Sequence, residues 1–304
     1  MKLLLENWRK FLKEDFKIRE EYPREFKDFL AEIEKHKDDI WVVFDTETTG
    51  LMYKEDYVQP TQIACVAFNT NGFMEGTTPE IVNNGIFNVK VKLQEKTIAR
   101  KNAELEDSDL SDFPITKIFK MTRYGDKTAP FISPEEAIEK FEAYLSEISA
   151  QAPSGNITMI AKNSPFDRGI IATSYNRLGR QMPNYNLWDA NAVISQYLHP
   201  VVMMMKTDEN GTDEDKRIAN RMTTVNKASG EERLSTSLGE LINVFDVQNK
   251  GWHDALADIH MTMSVLENII NYIRRVLKNK QVDFSKVEPF DPRAGDPYGE
   301  KKYR

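Results

Sequence analysis

The chain carries one cysteine, Cys65, among 304 residues. An internal disulfide and a cysteine-based zinc site are therefore both excluded. Cys65 lies in an apolar, strand-like run, where a thiol packs as a small hydrophobe. No apolar run approaches the roughly 18–20 residues that a bilayer span needs. The opening stretch, "MKLLLENWRKFLKEDF", is broken at once by acids and lysines, unlike a secretory signal. The expectation is a reducing, cytoplasmic setting (the host cytoplasm for a viral protein) with no membrane partner. Positive charge is also in short supply. Lys and Arg number 41 against 48 Asp and Glu, a net charge of −7. A protein that coats duplex DNA usually shows a basic surface, so contact with nucleic acid would be local, as in an enzyme holding a short end. No internal repeat is present.

What is there is a soluble, globular composition, 40% hydrophobic and 29% charged. Residues 1–39 read as a charged helical arm, with Leu4, Trp8 and Leu12 and then Phe26, Phe29, Leu30 and Ile33 at helical spacing. "WVVFD" at 41–45, "QIACVAFN" at 62–69 and "GIFNVKVKL" at 85–93 predict three strands in a meander. Residues 94–106 read as helix and 107–130 as a mixed, loopy insertion. Ser133-Pro134-Glu135-Glu136 predicts a capped helix start, and "APSGN" at 152–156 a break. "ITMIA" at 157–161 predicts a short buried strand. "SPFDRGIIATSYNRLG" then repeats the start grammar, with Ser164 as cap, Asp167 third and Gly179 near the helix end. Residues 200–237, with the acidic run "DENGTDED", read as a long loop or hairpin. A short helix follows at Leu238–Phe245, then a long one from about residue 255. The order predicts an α/β domain over 40–280, with insertions near 94–130 and 200–237, and a loose tail at 281–304.

Five residues in three segments carry candidate chemistry. Asp45 and Glu47, at i and i+2 on a strand, point to one face and repel unless a cation lies between them. Hard carboxylate oxygens suit Mg²⁺ or Mn²⁺. Solvated acids at a strand end are the simpler account of the pair alone. Asp167 is accounted for as a capping-box acid at a helix start, but it also lies at the end of strand 157–161. In "WHDALADIH", Asp254 suits an N-cap, Asp258 lies one turn inside the helix, and His253 lies just ahead of the cap. A histidine there can take a proton from water near neutral pH. Together, four carboxylates and one histidine suit a two-metal site for in-line attack on a phosphodiester.

The segments "FDTETTGL", "NSPFD" and "HDALAD" occur in that order, with four residues between His253 and Asp258. In this the chain resembles the DEDD 3′–5′ exonucleases of the histidine-bearing DEDDh subgroup, which are DnaQ-like. The proofreading epsilon subunit, ribonuclease T and oligoribonuclease share the pattern, and the phage exonuclease A group is most similar in style. The resemblance covers about residues 40–275. It implies a ribonuclease H-like fold, a mixed β-sheet flanked by helices, here with an N-terminal helical extension. It implies two divalent cations, Mg²⁺ with Mn²⁺ as substitute, bridged by Asp45. Glu47 and Asp258 would complete one ion's shell and Asp167 would serve the other, with His253 as base. Thr48 and Leu51 would touch the terminal nucleotide, and Asn163 and Phe166 belong to the second motif, where Phe166 could stack on a base. Lys162, Arg168, Arg177 and Arg180 are candidate phosphate contacts. The implied substrate is a single-stranded 3′ end, DNA ahead of RNA. The alternatives are an exoribonuclease or oligoribonuclease and, from another class, a non-catalytic nucleic-acid-binding module. A polymerase, or a second copy, could bind the N-terminal arm.

Overall fold

The computed structural model describes residues 35–50, 58–70, 78–106, 131–193, 198–207, 211–225, 232–235, 237–248 and 254–278. The N-terminal arm, the C-terminal tail and the 107–130 insertion lie outside them. The chain divides into two compact units. The larger comprises Lys37–Asn191 and Asp246–Glu267; the smaller takes residues 35–36, 192–245 and 268–278 of the described chain.

The larger unit is built on a six-stranded mixed sheet. Its strands are β1 (Ile40–Thr48), β2 (Pro60–Asn69), β3 (Ile81–Val91), β4 (Phe131–Ile132), β5 (Ile157–Ala161) and β6 (Asn186–Asp189). Their order across the sheet is β4-β3-β2-β1-β5-β6. β1 and β2, and β2 and β3, are antiparallel; β3 and β4, β1 and β5, and β5 and β6 are parallel. This is the mixed α/β sheet of a ribonuclease H-like fold. β1 is central, and it is apolar along most of its length because both of its faces are covered. Ile40, Val42 and Phe44 join a core with Ile63, Cys65, Phe87, Ile138, Phe141, Leu145 and Ile171. The odd-numbered residues face the other way, and there Trp41 meets Trp188 of β6 edge-on at 4.6 Å. β3, nearer the sheet edge, alternates buried and exposed positions. Within it Gly85 is required: a Cβ there would lie 2.7 Å from the Ala67 carbonyl oxygen.

Helices α1 (Glu95–Glu106), α2 (Pro134–Gln151), α3 (Ser164–Arg177) and α4 (Ala190–Val193) follow in chain order. The start of α2 is as its sequence predicts, with the Glu136 N–H donating to Ser133 Oγ at 3.1 Å and Pro134 at the first position. Gly155 and Gly179 take positive φ, 72° and 68°, at the breaks that follow α2 and α3.

Residues 200–237 read as a long loop or hairpin; the antiparallel pair at 223–234 bears out the hairpin, while the stretch before it is helical rather than loop. The smaller unit contains helices α5 (His199–Thr207) and α6 (Asp213–Met222), the two-stranded ribbon β7 (Thr223–Val225) and β8 (Glu232–Leu234), and helix α7 (Leu238–Val244). The acidic run is a helix start. Thr212 caps α6 through the Asp215 N–H at 3.1 Å, and Asp213, Glu214 and Asp215 fill the first turn, where the dipole favours them. Ile218, Ala219 and Met222 are the buried face. Asp215 is 4% exposed, and Arg275 meets its Oδ1 through two nitrogens, at 2.6 and 3.0 Å. Helix α8 (Ala255–Lys278) begins in the larger unit and ends in the smaller. No helix among the described residues is long and apolar enough to cross a membrane.

Candidate metal centre

β1 runs to Thr48, so Asp45 and Glu47 lie on the strand itself rather than beyond its end. Alternation puts them on one face. Asp258 comes from the first turns of α8. The Ala257 N–H donates to Asp254 Oδ1 at 3.1 Å and the Asp258 N–H to the Asp254 carbonyl at 2.9 Å, so Asp254 is the cap that its sequence position predicts. Asp45, Glu47 and Asp258 each offer one carboxylate oxygen, and these lie within 4.8 Å of one another. Asp258 Oδ1 is buried and has no hydrogen-bond partner among the described residues.

Such crowding costs free energy, and it shows in the proton affinities. Burial, then Asp167, Glu47 and Asp258, hold the Asp45 carboxyl well above the usual range, against a smaller opposing pull from Lys162. Burial, followed by Asp258 and Asp254, pushes Glu47 up to about 7. Burial and then Asp254 raise Asp258 to about 6, again against Lys162. Lys162 is half-buried, and desolvation lowers its proton affinity while Asp45, Asp189, Asp258 and Asp167 raise it. An all-carboxylate donor set with an unpartnered buried oxygen fits a hard divalent cation.

Asp167 is not one of the three converging acids. It is buried, and its Oδ1 accepts from the Thr46 N–H at 3.0 Å and from Thr46 Oγ1 at 2.7 Å. These bonds oppose the burial that raises it to about 6. The capping-box account of Asp167 is therefore replaced. Asn163, not Ser164, precedes the helix, and it makes no side-chain cap bond. The dyad of Thr46 and Asp167 ties β1 to α3 instead. Thr48 is buried and donates to the Gly50 carbonyl at 2.8 Å. Asn163 is exposed and Phe166 half-buried. Leu51 and His253 lie outside the described residues. Of the four candidate phosphate cations, Arg168 is exposed. Arg177 donates to the Val58 carbonyl at 2.6 Å, and Arg180 pairs with Glu142 at 2.9 Å and Glu139 at 3.4 Å. Asp189 escaped the sequence reading. It ends β6 beside Ala161, and its charge acts on both Lys162 and Asp167. The acid ending "NLWD" was the available signal.

No protein-family model and no curated protein matches the sequence. Solved structures do match. E. coli exonuclease I in complex with a dT13 oligonucleotide aligns over 79% of this chain and 43% of its own, with a TM-score of 0.51 at 13% identity. A product-bound exonuclease I structure gives 0.50 at 12% identity, over 79% and 45% of the respective chains. Cell-death related nuclease 4 gives 0.40 at 19% identity, over 77% and 64%. The chain thus aligns to less than half the length of the exonuclease I chains. At these identities the likeness is one of fold.

Proposed function

We propose that this protein is a metal-dependent 3′–5′ exonuclease of the DEDDh type, acting on single-stranded DNA. The convergence of Asp45, Glu47 and Asp258, with a buried Asp258 oxygen left unpartnered, is the observation that carries this reading. The sequence motifs and the fold shared with exonuclease I, one structure of which holds a dT13 oligonucleotide, support it. Asp45, Glu47 and Asp258 would hold one divalent cation, and Asp45 with Asp167 a second. Bound Mg²⁺ or Mn²⁺ supplies positive charge where the phosphate and the leaving oxygen gather negative charge.

The chain's own groups do the rest. The sheet holds Asp45 and Glu47 rigidly, and Thr46 fixes the Asp167 carboxylate through two bonds. His253 accepts the proton of the water that attacks phosphorus. The P–O bond to the 3′-oxygen then breaks, that oxygen takes up a proton, and a nucleoside 5′-monophosphate leaves. Thr48, Leu51, Asn163 and Phe166 would contact the terminal nucleotide. The partner is a 3′ end; association with a polymerase or a second copy through residues 1–39 belongs to the same proposal.

The test uses single-stranded DNA and RNA of matched sequence, labelled at the 5′ end. A ladder shortening from the 3′ end is expected with Mg²⁺ and is abolished by EDTA, with DNA cut faster than RNA. Asp45→Ala should lose at least about a hundredfold in rate while remaining folded. Full activity in that variant would sink the assignment. His253→Ala should lower kcat and leave Mn²⁺ affinity near that of the native chain.

A further inference from the structure

The buried amide of Gln62 is not among the residues the sequence motifs single out. Gln62 lies on β2, directly across from Glu47, and is 6% exposed. Its Nε2 donates to Asp254 Oδ2 at 3.2 Å and to Asn88 Oδ1 at 2.9 Å, and its Oε1 accepts from the Ala255 N–H at 3.3 Å. Both ends of the amide are therefore used, and two of its three bonds reach the start of α8. The Ala255 N–H can only donate and the Asp254 carboxylate only accept, so these two set which way the amide faces, and Asn88, on β3, supplies a further acceptor. One turn further along α8 stands Asp258.

A neutral amide is well suited to this place. Asp258 and Asp254 both act on Glu47 with like charge, so electrostatics drives the start of α8 away from β1. A cation at position 62 would compete for the carboxylates, and an apolar side chain would leave the Ala255 N–H and one Asp254 oxygen unbonded. The glutamine adds no charge and pulls the helix start onto the sheet.

We propose that Gln62 is a positioning residue that sets the spacing between Glu47 and Asp258 by fastening the first turn of α8 to β2. It thereby also fixes the chain that follows His253. The proposal rests on the metal-dependent reading of the site, because the spacing it sets is that of two metal-holding carboxylates. A glutamine that only satisfies a buried pocket would not govern that spacing.

The experiment compares the full-length protein with Gln62→Met, Gln62→Glu and the double variant Gln62→Glu/Asp254→Asn. The double variant keeps the total charge and reverses the direction of the bond. The amide introduced at position 254 donates to the carboxylate introduced at position 62, the Ala255 N–H still finds an acceptor, and asparagine caps a helix as well as aspartate does. Asn88 turns its amide to donate. Three quantities are read: Mn²⁺ affinity, amide hydrogen exchange over 255–258 in the Mn²⁺-loaded protein, and kcat and KM on a single-stranded DNA 3′ end. Gln62→Met and Gln62→Glu are expected to weaken Mn²⁺ binding and kcat by about ten- to a hundredfold and to speed exchange at 255–258. KM should stay within about twofold. The double variant should recover most of both losses. Native Mn²⁺ affinity and exchange in a folded Gln62→Met would overturn the proposal. So would a double variant no better than Gln62→Glu alone, and that comparison decides the matter if Gln62→Met does not fold. The two readings fail separately. Without nuclease activity in the native chain, the exonuclease assignment falls, while the Mn²⁺ and exchange measurements still judge Gln62.

Discussion

The buried Asp215 of the smaller unit and the three converging acids of the larger unit are treated in opposite ways. In the smaller unit Asp215 is almost fully enclosed, yet its Oδ1 meets the Arg275 guanidinium and its N–H is capped by Thr212. The Tyr272 hydroxyl also donates to the Asp215 carbonyl at 3.2 Å. In the larger unit Asp45, Glu47 and Asp258 crowd together, opposed among the described residues by the half-buried Lys162. The buried acid of the smaller unit is bonded to a counter-charge, the partly exposed Arg275 guanidinium. Among the described residues the three converging acids have less counter-charge than that, and this shortfall is what a divalent cation would supply.

Three measurements separate these two treatments. The largest effect on stability is expected at Asp215. Asp215→Asn weakens the ion pair while Arg275 keeps part of its hydration, so unfolding in urea should become easier by roughly 2–3 kcal/mol. Nuclease activity per folded molecule should not change. Equal stability would mean that the pair contributes nothing to the smaller unit.

The acids at the end of β1 should respond in the opposite sense. Glu47 rises from an ordinary 4.5 to about 7 and Asp258 from 3.8 to about 6. Between those values the folded, metal-free chain binds more protons than the unfolded chain. Stability therefore falls as the pH rises through that window and levels off above about 7. In EDTA the melting temperature should drop from about pH 5 to about pH 8, and Mn²⁺ should reverse the drop. Glu47→Gln should flatten the profile and raise the metal-free melting temperature at pH 8 by roughly 5 °C, while removing activity. A flat profile for the native chain in EDTA would contradict the crowding.

The smallest effect concerns the cap of α6. Thr212→Ala should cost about 1 kcal/mol of stability and leave kcat unchanged. A change in kcat would show that the smaller unit takes part in the reaction.

How far these features are legible in the sequence depends on how local they are. The central strand, both of its acids and the caps at Ser133 and Asp254 can be read because each is a short pattern with a fixed offset. The full length of β1 is hidden because polar residues at 46–48 mask a strand that the neighbouring β2 completes. β4 and β6 are two and four residues long and carry no period to detect. The helices within 200–237 escape because the acidic run has the composition of solvated chain, although Thr212 stands in front of it as a cap. The link between Thr46 and Asp167, 121 residues apart, and the one between Gln62 and Asp254, 192 apart, are products of tertiary folding that no local motif encodes.

The edge-on pair of Trp41 and Trp188 gives the molecule an optical signature. Trp41 stands at the start of β1 and Trp188 one residue before Asp189, with β5 between their strands. Indoles held 4.6 Å apart at 68° couple their excited states. Circular dichroism in the aromatic bands therefore reports whether β1, β5 and β6 are in register, without any label and without turnover. A variant at Asp45 or Glu47 that loses activity but keeps this signal has kept its sheet.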